Sequence, residues 1–194
     1  MLEHATGSVI GAGGTFFVIR KHLYRPLPQH IMDDLSTSIG VFTQGYRFAY
    51  TPHIIVHKRA AVKDGEEFNR KIRIACRQMN VLKYMWPSLK QASWLNQYKF
   101  YSRYTLRWFT GYFLVGAAIS LLLYAVQHQF LAEMLLLYLL GLNALWLGHA
   151  KKLPILKQAA QAALMFYAVS LGVTQALCGK TYQTWQSAKS IRSD

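Results

Sequence analysis

The sequence predicts an α/β layer over residues 1–82, an interfacial amphipathic helical segment over 83–107, and two to three transmembrane α-helices at 108–126, 130–148 and 155–178, with a tail at 179–194. Three observations predict it. The chain is 53% apolar, 14% aromatic and only 15% charged, which is shifted toward membrane proteins. The shift is local: sixteen of 22 Lys and Arg and six of eight Asp and Glu precede Trp108, so a polar front is followed by an apolar back. Within the front, a glycine-rich turn, a β-branched run and an acidic pair heading an apolar helical repeat alternate as strand and helix do.

Residues 8–20 contain Gly11, Gly13 and Gly14 ahead of Phe16, Phe17, Val18 and Ile19. The glycines permit close backbone approach, and the run that follows reads as a buried strand. Their spacing is neither a phosphate loop nor a dinucleotide fingerprint. Residues 20–24 read as a short helical turn closed by Pro26 and Pro28.

Residues 31–44 are the stretch around which the front is organised. Asp33 and Asp34 precede Leu35, Ile39 and Phe42 at helical spacing, in a chain that has few carboxylates. Two readings stand side by side. Aspartates at a helix start satisfy open backbone N–H groups and suit the positive end of the dipole. A carboxylate held at a helix mouth is also a candidate general base toward a hydroxyl. Residues 45–50 close that helix at Gly45 and lead into a second predicted strand at 52–56. His53 and His57 share a strand face without a third ligand, and are read as structural or surface residues.

Residues 64–85 predict an amphipathic helix. Phe68, Ile72, Cys76, Met79 and Leu82 recur every three or four positions, while Arg70, Arg73 and Arg77 cluster on a neighbouring face. Three guanidiniums on one strip fit a pyrophosphate, and fit lipid head groups equally.

The formal charge of +14, lying against hydrophobic spans, reads as a cytoplasmic face on anionic lipid rather than as a nucleic-acid surface. Nothing at the N-terminus has the form of a cleaved signal. Cys76 and Cys178 are far apart and imply neither a disulfide framework nor a zinc site. The apolar stretches at 108–126 and 130–148 are long enough to cross the ~30 Å hydrocarbon core, joined by a short turn at 127–129. His149, Lys151 and Lys152 return the chain to the basic side. The stretch 155–178 either spans or is re-entrant.

The order and spacing of several short motifs resemble the second half of membrane-bound family 2 glycosyltransferases. These are the glycine turn before Thr15, the Asp33–Asp34 pair, Gly45-Tyr46-Arg47, residues 67–73 and residues 102–108. The resemblance implies a partial GT-A domain over residues 1–82 on the acceptor side, and an inverting transfer of a hexose from a nucleotide sugar to a lipid-linked or polysaccharide acceptor. It places the catalytic base at Asp34, with Asp33 as a positioning carboxylate. Arg73 takes the arginine of the Gln-x-x-Arg-Trp motif, Arg70 replaces its glutamine and Ile74 its tryptophan. Arg70 and Arg73 are thereby implied in substrate binding, and Gly13 and Gly14 would line the acceptor side.

No Asp-x-Asp occurs in the sequence. By the same resemblance, the divalent metal (Mg or Mn) and the donor belong to the family's N-terminal half, so that this chain is either a truncated product or one half of a split transferase whose donor half is a separate polypeptide, and binds no cofactor itself. The expected setting is the inner (plasma) membrane, multi-pass, with the front cytoplasmic and in contact with membrane lipid. The competing expectation is a non-catalytic basic membrane adaptor, in which Asp33 and Asp34 only cap a helix and the arginines only touch lipid.

Overall fold

A computed structural model describes residues 16–49, 54–56, 64–151 and 154–182. After a 3₁₀ turn at Lys21–Leu23, the helices are α1 (Asp33–Thr43), α2 (Asp64–Gln91), α3 (Trp94–Phe100), α4 (Leu106–Gln127), α5 (Leu131–Lys151) and α6 (Pro154–Leu177). A π-helical stretch at Tyr101–Thr105 joins α3 to α4.

The predicted α/β layer is not there: among the described residues the fold is all helical, with no strand. Residues 16–20 and 54–56, read above as strands, form no regular structure. Phe16 is 57% exposed, Val18 84% and Ile55 77%. The physical reason is that a β-branched run becomes a strand only when a neighbouring strand takes up its backbone hydrogen bonds and packs its side chains. Neither segment has that neighbour among the described residues. The glycine turn with Gly13 and Gly14, and also His53 and His57, lie outside the described residues.

The core forms around α2. Leu35, Ile39 and Phe42 lie along α1 at helical spacing and, with Ile31 just before it, pack on Cys76, Met79 and Leu82 of α2, and all are buried. Burying a side chain such as Ile39 contributes roughly 1.5–3 kcal/mol. Gly45 ends α1 in a left-handed conformation, φ 83°. Its N–H donates to the Phe42 carbonyl at 3.1 Å, and that of Tyr46 to Val41 at 3.3 Å, a Schellman closure that satisfies two carbonyls left open by the helix end.

α2 runs on through Pro87 to Gln91, past the expected end at residue 85. Trp108, at the start of α4, is buried, and its Nε1–H donates to Gln78 Oε1 at 3.0 Å. Phe100 stacks on Tyr104 with ring centroids 5.1 Å apart. Residues 83–91 of the segment read as interfacial belong to α2 itself, and the rest is held near it by buried Phe100 and Trp108, while Trp86, Trp94 and Tyr98 stay exposed.

α6 lies along the other side of α2, and the two helices run parallel. Phe68 stacks on Tyr167 at 6.2 Å, Ala75 faces Gly172, and Lys83 Nζ donates to the Ala176 carbonyl at 2.5 Å. At Gly172 the backbones approach so closely that an added Cβ would stand 2.8 Å from the Cβ of Ala75 and 3.1 Å from the Cys76 nitrogen. Gly179 ends α6 at φ 84°, and its closure sends the Lys180 N–H to the Gln175 carbonyl at 2.9 Å.

Among the described residues, two helical stretches are long and apolar enough to cross a membrane: Trp94–Gln127, of 34 residues, and Ile155–Leu177, of 23 residues. Leu131–Leu147 in α5 is a shorter apolar helix. α4 and α5 expose most of their large side chains, Phe113, Leu123, Leu139 and Trp146 among them at above 60%. Helices apolar on all sides and left uncovered by protein have the surface of helices that face lipid.

Candidate functional site

Asp33 and Asp34 occupy the first turn of α1, whose N-cap is Met32. Met32 offers no side-chain cap, so the two carboxylates face open backbone N–H groups at the positive end of the helix. Asp34 Oδ1 accepts the Leu35 N–H at 2.6 Å. Asp33 is exposed and Asp34 half-buried.

The Asp34 carboxyl sits above the ordinary aspartate range. Burial is the main cause and the neighbouring Asp33 charge adds to it; the Leu35 N–H bond and the Arg77 guanidinium pull the other way. The result is a carboxylate more basic than a solvated one, held by one backbone bond at a helix mouth.

Arg77 reaches α1 from α2. One of its terminal nitrogens donates to the Ile31 carbonyl at 3.4 Å, and its Nε is buried with no hydrogen-bond partner among the described residues. Arg70 points elsewhere. It forms a two-pronged ion pair with Glu67, at 2.7 Å for each contact, which pushes the arginine up and holds the Glu67 carboxyl below its usual range. Arg73 lies between them: burial and then the charges of Arg77 and Arg70 lower it, opposed by Tyr182.

The three arginines thus form one strip on α2 and repel one another through Arg73, but they differ in role. Arg77 bonds the Ile31 carbonyl and acts on Asp34 through its charge alone, Arg70 is taken up by Glu67, and Arg73 borders the segment after α6. The sequence points to Arg70 and Arg73 and gives Arg77 only a place on the strip. The signal for Arg77 was its place one position after Cys76 and two before Met79, beside the stripe that meets α1. The contribution of Tyr182 carried no signal, since it depends on the return of α6 to α2. A cleft elsewhere on α1 is lined by none of Asp33, Asp34, Arg70 and Arg73. Among the described residues no three His, Cys, Asp or Glu side chains come together to hold a metal ion.

Compared with protein-family models, with curated proteins and with solved structures, the chain matches none.

Proposed function

We propose that this chain is the acceptor-side half of a membrane-bound inverting glycosyltransferase of family 2, working with a donor-binding half that these residues do not supply. The observation that carries the reading is Asp34: a half-buried carboxylate, raised above its usual range, with the Arg77 guanidinium beside it. A base of this kind takes the proton of an acceptor hydroxyl as that oxygen attacks the anomeric carbon of a nucleotide-activated hexose. Asp33 adds negative charge that keeps the neighbouring carboxylate basic. Arg73 and Arg77 supply positive charge for the diphosphate leaving group or the acceptor, and Arg70 joins them on release from Glu67. The nucleotide sugar and its divalent metal are brought by the other half, and the acceptor is a lipid-linked or polysaccharide chain at the inner membrane. The basic front lies on the cytoplasmic side, against anionic lipid.

A second reading is favoured by two specific contacts. The Asp34–Leu35 bond and the Arg70–Glu67 pair are what a non-catalytic, membrane-anchored basic adaptor would use for helix stability alone.

The experiment is sugar-nucleotide turnover in membranes carrying this chain alone, or with the product of the reading frame directly upstream of its gene. Turnover only in the pair, abolished by Asp34→Asn, is the expected result. Asparagine keeps a hydrogen-bonding oxygen but removes the basicity, so full turnover by the Asn variant sinks the base assignment. Absence of turnover in every combination supports the adaptor.

A further inference from the structure

A cleft of about 390 Å³ lies between residues 23–27, α1 and α2. It shares no residue with the Asp34 site. Its polar lining is Arg25, Ser36, Thr37, Tyr84 and Ser88, and Leu27 and Met85 supply apolar wall. A few convergent polar groups in a partly apolar cleft of a few hundred Å³ is the general form of a small-ligand site.

Two features of the α1 wall shape the cleft. Thr37 lies on the cleft wall and is only 8% exposed, so what is left of its surface faces the cleft. The second feature is Gly40, inside α1 on the cleft wall. A glycine within a helix is about 1 kcal/mol worse than alanine, and its usual justifications are missing. Its φ is not positive, and an added Cβ would meet nothing within 4 Å. What glycine supplies there is room in the cleft.

The chemistry of the lining selects the ligand. Arg25 and the Thr37, Tyr84 and Ser88 hydroxyls are donors suited to a phosphate ester. Ser36 has given its proton to the Met32 carbonyl at 2.6 Å, so it offers only lone pairs, suited to a ligand hydroxyl. The position selects the source. Tyr84, Met85 and Ser88 stand on the turns of α2 that carry exposed Trp86, with the Lys90 ammonium 5.3 Å from its ring. These turns lead directly to Trp94, 77% exposed at the start of the 34-residue apolar stretch. Exposed Trp with Lys at the entry of a span marks the head-group level of a bilayer.

We propose that this cleft binds the phosphate head of a hydroxyl-bearing anionic membrane lipid. The proposal stands apart from the transferase reading. The test uses the full chain in neutral detergent, titrated with a short-chain phosphatidylglycerol and, in parallel, with glycerol phosphate. Gly40→Leu fills the cleft without changing the charge and with a gain in helix propensity; it should weaken lipid binding at least about tenfold, as should Arg25→Gln. Thr37→Val should weaken it at least about threefold, while Arg47→Gln, outside the cleft, should leave it unchanged. Any of three results overturns the proposal: no binding of the short-chain lipid, unchanged binding by Gly40→Leu and Thr37→Val, or glycerol phosphate binding as tightly as the lipid. The last would make the cleft a site for soluble phosphate esters.

Discussion

Lys83 of α2 donates its ammonium to the Ala176 carbonyl in the last turn of α6, at 2.5 Å. A cation at a helix C-terminus is favourable, and this contact fixes where α6 ends. Asn80 Nδ2 extends it, donating to the Lys180 carbonyl at 3.0 Å. The C-terminal half of α6 therefore lies against a helix that also carries Arg70, Arg73 and Arg77, residues that do not enter lipid without strong compensation.

Cys178 should accordingly be accessible from the same side of the membrane as the basic front. In sealed, oriented vesicles an impermeant maleimide should label Cys178, which is exposed, from the side that labels a Tyr24→Cys marker. Cys76 should stay silent, being buried with its thiol pushed up. Labelling of Cys178 only from the side of the 127–129 turn would mean that α6 spans.

Asp34→Asn should stabilise the fold at neutral pH. The Asp34 carboxyl is raised by burial, so its folded form favours the proton and loses stability as pH rises through that raised value. Below about pH 4, where aspartate is protonated in both folded and unfolded chains, the advantage of asparagine should vanish. Thermal unfolding at several pH values checks this. A lower midpoint for Asp34→Asn at pH 7 would show that the carboxylate stabilises the helix more than its burial penalises it.

Gly172→Ala should destabilise by roughly 1–3 kcal/mol, since the added methyl meets the α2 backbone at Ile72 and Cys76, where neither wall has room to yield. Gly116→Ala in α4 is the control. Nothing lies within 4 Å of its added Cβ, and helix propensity alone should give a gain of up to about 1 kcal/mol. Equal effects of the two substitutions in a denaturation series would contradict the close α2–α6 approach.

Gln129→Gly should stabilise the α4–α5 turn by about 1 kcal/mol. Gln129 holds φ at 63°, where a side chain crowds the backbone. The turn has the same closure as the two glycine-ended helices, with the Phe130 N–H donating to the Ala125 carbonyl at 2.9 Å. An unfolding midpoint unchanged by the substitution would remove the strain argument.

Much of this architecture is legible from periodicity and termini. The Ile31–Leu35–Ile39–Phe42 repeat, the α2 stripe and Gly45 as a stop are local properties, and helices are local structures. The strands failed for the converse reason. Residues 16–20 and 54–56 have the side chains of strands, but pairing is a relation between segments that composition does not encode. The same limit applies at the site: Asp34 was legible as a first-turn carboxylate, but its neighbour Arg77 rather than Arg70 follows from how α1 and α2 cross. Gly172 gave no sign of its role, because a small residue in an apolar stretch looks the same whether it faces lipid or another helix.

The parallel pairing of α2 with α6 sets an order of events during synthesis. The face of α2 that carries Cys76 and Asn80 leaves the ribosome some ninety residues before Gly172 and Ala176 arrive to cover it. Throughout that interval the nascent front has a half-built interior, open to chaperones and proteases. A chain stopped after the α4–α5 hairpin would keep every residue of the Asp34 and arginine cluster, yet would lack one wall of its core. Release of a finished front thus waits on α6, which makes that helix a checkpoint for the maturation of what precedes it.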